Sequence, residues 1–170
     1  MTRVLLLMAL WAGCASSEVA VESATFGPLE FSIPTGWRAR DVSQPDTATA
    51  IWTPDDNSDH QSVTLQRILS KQATSDAGPA VVGRLLDEAV RGLPRSAFGR
   101  AMRFRSKAGI LGVSVDGTFR PPGQDHAYHR IHAVLFEGNS LVHLIFTSGT
   151  ADASSEVFGI VLNSLRRKEG

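Results

Sequence analysis

The stretch from Tyr128 to Ser148 constrains this chain more than any other. Two apolar runs, Ile131 to Phe136 and Leu141 to Phe146, flank Glu137-Gly138-Asn139-Ser140. Gly138 and Asn139 both tolerate positive φ, which suits them to the centre of a two-residue hairpin turn. With the turn there, Phe136 faces Leu141, Val134 faces His143 and His132 faces Ile145. Side chains alternate across a strand, so one face carries Ile131, Ala133, Leu135, Val142, Leu144 and Phe146. That surface is apolar throughout, and a helix is its expected cover.

The flanking sequence supplies more strands and two helical patterns. Leu29, Phe31 and Ile33 alternate with polar neighbours up to Pro34, the period of a half-buried strand. Further strands are expected over Trp37 to Val42, Ala48 to Thr53, Ser62 to Leu69 and Ile110 to Phe119, the last with Gly112 marking a bulge or close packing. Ser43 to Asp46 and Pro54 to Asp59 are loops by composition. The Asp55-Asp56-Asn57-Ser58-Asp59 run lacks the spacing, glycine and closing Glu of a calcium loop and reads as a solvated turn. Val81, Val82, Leu85, Leu86, Ala89, Val90 and Leu93 form one stripe of an amphipathic helix that opens near Pro79 and stops at Gly92 and Pro94. Phe158, Val161, Leu162 and Leu165 mark a closing helix, with Arg166, Arg167 and Lys168 expected at its C-terminal end, where cations complement the helix dipole.

With 170 residues, 42% hydrophobic and 20% charged, the chain has room for one ordinary core. Its 17 basic and 17 acidic side chains cancel, so net charge offers no basis for binding nucleic acid. A single cysteine excludes any internal disulfide. That cysteine, Cys14, follows Thr2-Arg3 and the apolar segment Val4 to Ala12, which is too short to span a bilayer and typical of an export signal. Leu10-Trp11-Ala12-Gly13-Cys14 resembles the bacterial lipobox, with Trp11 where a leucine is usual. The resemblance implies a signal peptide over 1–13, a lipidated Cys14, a small polar tether over 14–24 and a single domain over 25–170. Several acyl chains hold a protein firmly on a membrane, since each buried CH₂ contributes about 0.8 kcal/mol. By the same sorting rules, the absence of Asp at position 15 favours the outer membrane, with the domain facing the periplasm. A plain secretory signal cut near Ala15, or a buried N-terminal strand, are the other readings of this start.

Two groups of side chains invite a chemical role. Arg91, Arg95, Arg100, Arg103, Arg105 and Lys107 run without an acidic residue between them. They read as a solvated strand whose outward charges guard a sheet edge, or, with Arg100, Arg103 and Arg105 foremost, as a contact for an anionic surface. His132 and His143 are diagonal neighbours on one sheet face in the expected register. They are candidates for a two-ligand metal or proton site, although zinc needs two more donors and the one thiol is the lipidation candidate. Gly112-Val113-Ser114-Val115-Asp116 lacks the second glycine of a nucleophile elbow, and Gly36, Gly78 and Gly83 are too isolated for a phosphate loop. Trp37 and Trp52 read as packing residues. No catalytic set is legible, no cofactor is implied, and the chain reads as non-enzymatic.

Phe31-Ser32-Ile33-Pro34-Thr35-Gly36-Trp37, Leu141 to Thr147, and Phe158 with Ser164-Leu165 together resemble the Mog/PsbP-like family over Thr25 to Arg167. The resemblance implies an α+β fold in which an antiparallel sheet is flanked by helices as an α/β/α sandwich. Members of that family act mainly as accessory or partner-binding modules, and many bacterial ones are envelope lipoproteins. A membrane anchored through Cys14 and a protein partner are therefore the expected associates. A small-ligand or metal binder using the histidine-bearing face is the alternative.

Overall fold

A computed structural model describes residues 19–56, 59–69, 84, 97–137 and 140–168. Its backbone is organised by an eight-stranded antiparallel sheet with a smaller sheet and one helix on the same side. In chain order the strands are β1 (Val21–Phe26), β2 (Leu29–Pro34), β3 (Trp37–Asp41), β4 (Thr47–Pro54), β5 (Ser62–Leu69), β6 (Ala97–Phe98), β7 (Met102–Arg105), β8 (Leu111–Phe119), β9 (Tyr128–Glu137) and β10 (Ser140–Ser148). The helix α1 (Ala151–Ser164) and the short strand β11 (Arg166–Arg167) close the chain. The large sheet runs β3-β4-β5-β10-β9-β8-β6, with β7 also pairing β8, and the small one runs β1-β2-β11.

The β9–β10 hairpin is the centre of the large sheet. Its register pairs Phe136 with Leu141, Val134 with His143 and His132 with Ile145, as a two-residue turn requires. Gly138 and Asn139 themselves lie outside the described residues. The apolar face is covered as expected: Ile131, Ala133, Leu135, Val142, Leu144 and Phe146 are buried with Val157 and Val161 of α1. The Phe158 ring meets Phe146 edge-on, with centroids 5.1 Å apart. Leu29, Phe31 and Ile33 of β2 fill the rest of that layer, and Trp52 packs edge-on against Phe31 at 5.3 Å. Each such side chain, fully buried, is worth ~1.5–3 kcal/mol of hydrophobic stabilisation.

Polar contacts set the ends of α1. Thr150 is the N-cap in extended conformation, and its hydroxyl accepts the Ala153 N–H at 3.3 Å. At the other end the Ser164 hydroxyl donates to the Ile160 carbonyl at 2.7 Å and accepts the Ser32 N–H at 2.7 Å. One side chain thus closes the last turn and satisfies a β2 amide that β11 does not reach.

Two glycines permit close approach along β8. A Cβ on Gly117 would run into the Ala97 carbonyl and the Phe98 Cα of β6, and one on Gly112 into the Phe104 ring of β7. Close packing, not a bulge, is therefore the use of glycine in this strand.

The structure corrects three expectations. Residues 21–24, expected in the tether, belong to β1 and pair with 31–34 of β2. Arg166 and Arg167 do not cap the helix dipole: α1 ends at Ser164, its last turn carries no basic residue, and the two arginines form β11. Arg166 pairs with Glu30 at 2.8 Å, which holds the Glu30 carboxyl below the ordinary carboxylate range. Finally, the described residues do not form an α/β/α sandwich. They contain one full helix, and its side of the sheet is shared with the β1-β2-β11 sheet, because a single 14-residue helix cannot roof so wide a face. The helix expected near 79–93 lies outside the described residues, apart from Arg84, which is helical and exposed.

Candidate functional site

On the face of the sheet turned away from α1, β9 and β10 bring His132 and His143 together. The alternation of strand side chains puts both on one face, and the diagonal register brings their rings into a stack with centroids 5.2 Å apart. His132 Nδ1 and His143 Nε2 lie 3.0 Å apart, so one donates and the other accepts. Phe98 meets His132 edge-on at 5.4 Å. His132 is 2% exposed and His143 8%, and His132 Nε2 is buried without a hydrogen-bond partner.

The surroundings hold both imidazoles neutral. Burial, then the neighbouring His143 and the Arg130 cation, push the His132 pKa down to about 3. Burial and Arg130 push His143 down to about 4. Arg130 sits on the same face, stacked over the Phe119 ring at 3.6 Å and donating from Nε to Thr147 Oγ1 at 3.1 Å. Burial lowers its pKa to about 10, so it stays charged in neutral water. The two facing nitrogens join the neutral rings by one N–H···N hydrogen bond. Among the described residues no group of three or more His, Cys, Asp or Glu side chains could hold a metal ion.

A second cluster was not legible in the sequence. The His129 ring bonds through Nδ1 to the Ser154 hydroxyl of α1 and lies 3.7 Å through Nε2 from Asp116 of β8. Ser, His and Asp in that order have the outline of a hydrolytic triad. The geometry assigns it to structure instead. Ser154 is 2% exposed, its hydroxyl also donates to the Ala151 carbonyl at 3.1 Å, and it lines none of the described cavities. A nucleophile needs a substrate within reach, and this one is committed to pinning α1 onto β9. Residues 116, 129 and 154 stand on three elements, with no local spacing that a motif could register.

At the loop end of the sheet, Tyr128 lies between His60 and His126, ring centroids 5.5 and 5.7 Å away, beside a cavity of about 370 Å³. His60 has φ 52, a left-handed conformation uncommon for a residue with a side chain. Of the basic candidates, Arg100, Arg103 and Arg105 are all exposed. Arg103 and Arg105 lie on β7, bonded on one side to β8, with Arg105 opposite Leu111. Trp52 is core and Trp37 is packed against it. Cys14 lies outside the described residues, and among those no helix is long and apolar enough to cross a membrane.

These elements define a PsbP-like fold, mostly antiparallel sheet with a closing helix among the described residues. The fold is similar to that of cyanobacterial PsbP (CyanoP) of Synechocystis, with a TM-score of 0.62 and 18% identity over 92% of this chain and 96% of that one. It is also similar to LpqN, described as involved in cell envelope biogenesis of Mycobacterium tuberculosis, with a TM-score of 0.51 and 11% identity over 89% of this chain and 92% of that one. No protein-family model and no curated protein matches the chain in sequence.

Proposed function

We propose that this chain is a lipid-anchored accessory module of a bacterial cell envelope, whose PsbP-like domain binds a protein partner and catalyses no reaction. The observation that carries this reading is the single cysteine placed directly after a short apolar leader and two small residues. The envelope role printed for LpqN supports the address, and the accessory character that the Mog/PsbP-like resemblance implies supports the role. The inaccessible Ser154 hydroxyl fits a non-enzymatic reading. The anchor is tested by Cys14→Ser: the parent is expected to stay with membranes through a high-salt wash, and unaltered partition of the variant would sink the reading. Outer-membrane placement is tested by density separation of the two membranes, and the partner by crosslinking from intact membranes.

His132 Nε2, buried and without a hydrogen-bond partner, supports a second reading in which the histidine face binds a small ligand or a metal. Zinc titration of a His132→Ala, His143→Ala variant beside the parent decides it; equal affinity removes the idea.

A further inference from the structure

Four of the five exposed large apolar side chains among the described residues lie on or beside the basic hairpin. Met102 is 61% exposed on β7 and Leu111 51% exposed on β8, while Val19 and Val21 line a groove that Lys107 also lines. Leu111 stands directly across from Arg105, and Arg103 is one pair further along the same face. The turn that joins β7 to β8 is tightly built. The Ser106 N–H donates to the Ile110 carbonyl at 2.9 Å, and the Ser106 hydroxyl accepts the Ile110 N–H at 3.1 Å, so Lys107 is held outward at the hairpin tip. From residue 97 to 115 no acidic side chain opposes Arg100, Arg103, Arg105 and Lys107. Glu156 is the one acidic side chain lining the neighbouring groove.

An edge guard requires the cations but gives no reason for a bare Leu111 beside Arg105 and Arg103; Met102, by strand alternation, stands on the other face of β7. Cations flanking an exposed apolar side chain are instead the chemistry of a surface that settles into a headgroup layer: the charges attract anionic lipid and the apolar group enters the acyl boundary. The position agrees. Five peptide units separate Cys14 from Val19, and at ~3.3–3.6 Å per residue they span at most about 18 Å. An anchor at Cys14 therefore keeps Val19, and Lys107 beside the same groove, within reach of the leaflet.

We infer that the β7–β8 hairpin, with Arg103, Arg105, Lys107 and Leu111 foremost, docks the domain on an anionic lipid leaflet. This rests on the anchored reading above, and it adds an orientation: the hairpin lies down on the membrane and the cavity beside Tyr128 is left for the partner.

The test uses the full chain, purified from membranes and reconstituted in liposomes of phosphatidylcholine alone or with phosphatidylglycerol. Leu111→Cys and, separately, Val42→Cys carry an environment-sensitive fluorophore. Both positions are exposed, and Val42 follows β3 at the other edge of the sheet. On anionic liposomes the Leu111 probe is expected to turn apolar and become shielded from iodide, while the Val42 probe stays open. On neutral liposomes both stay open. Arg103→Gln, Arg105→Gln and Lys107→Gln together should lower the docking equilibrium roughly a hundredfold, because each cation contributes about a fivefold factor near such a surface. A Leu111 probe as open to iodide as the Val42 probe on anionic liposomes overturns the inference. Flotation with neutral liposomes reports the anchor separately. A chain that fails to float there but shields Leu111 on anionic liposomes loses the anchor and keeps the docking face.

Discussion

Acid should unfold this domain through the histidine pair. His132 and His143 have folded-state pKa values of about 3 and about 4, against 6.5 for the ordinary side chain. Below 6.5 the unfolded chain binds protons that the folded chain refuses, so stability is full above that pH and falls as pH drops toward the folded values. Between pH 7 and pH 5 the linkage amounts to about 2 kcal/mol for each histidine, roughly 4 kcal/mol for the pair and a large part of the stability of a domain this size. The comparison protein is His132→Phe with His143→Leu. Replacing both partners removes the titration without stranding one imidazole. Its surroundings, Val113, Val115, Val134 and Leu141 on the same buried face, accept apolar side chains. Urea unfolding is followed by the fluorescence of Trp37 and Trp52 at both pH values. With a slope near ~2 kcal/mol per molar urea, the parent midpoint should fall by roughly 2 M more than that of the variant. His60, His126 and His129 are present in both proteins and cancel in the difference. Parallel falls of the two midpoints would refute the argument, because the buried pair would then not be the source of the acid sensitivity.

Three further perturbations test the packing. Gly117→Ala should destabilise by ~1–3 kcal/mol and detach β6, since the new methyl meets the backbone of Ala97 and Phe98; a thermal melt and amide exchange at Phe98 read both effects. Phe146→Ala should cost ~3–5 kcal/mol, as its ring is 1% exposed between Phe158 and the β2 layer, and chemical denaturation measures the loss. Thr150→Ala removes the acceptor of the Ala153 N–H and should cost ~1 kcal/mol, with Thr150→Ser restoring it.

The resemblance in fold was carried by local patterns that the structure keeps. The polar break at Gly138-Asn139 between two apolar runs was enough to set the hairpin register, because a one-residue slip would turn Phe146, Leu144 and Val142 out of the core. From that register the proximity of His132 and His143 follows directly. Ser62 to Leu69 likewise reads as a strand, and Val63 and Leu65 on it are fully buried, but its place beside β10 came from the tertiary structure.

Short strands and distant clusters were not readable in this way. β11 has two residues and exists because Glu30 and Leu29 of β2 receive it, so no window around Arg166 could announce it. Three of the first four residues of β1, Glu22, Ser23 and Ala24, are small or polar, and the stretch passes for a tether until β2 pairs with it. Ser154, His129 and Asp116 meet across three elements, and only the burial of Ser154 tells a structural pin from a hydrolase. Side-chain periodicity is a local property, which is why the amino-acid order alone determined the central hairpin, the histidine pair and the basic run. Which edge each strand meets, what roofs the apolar face and whether a hydroxyl can be reached depend on contacts between residues far apart in the chain, and only the tertiary structure decided them.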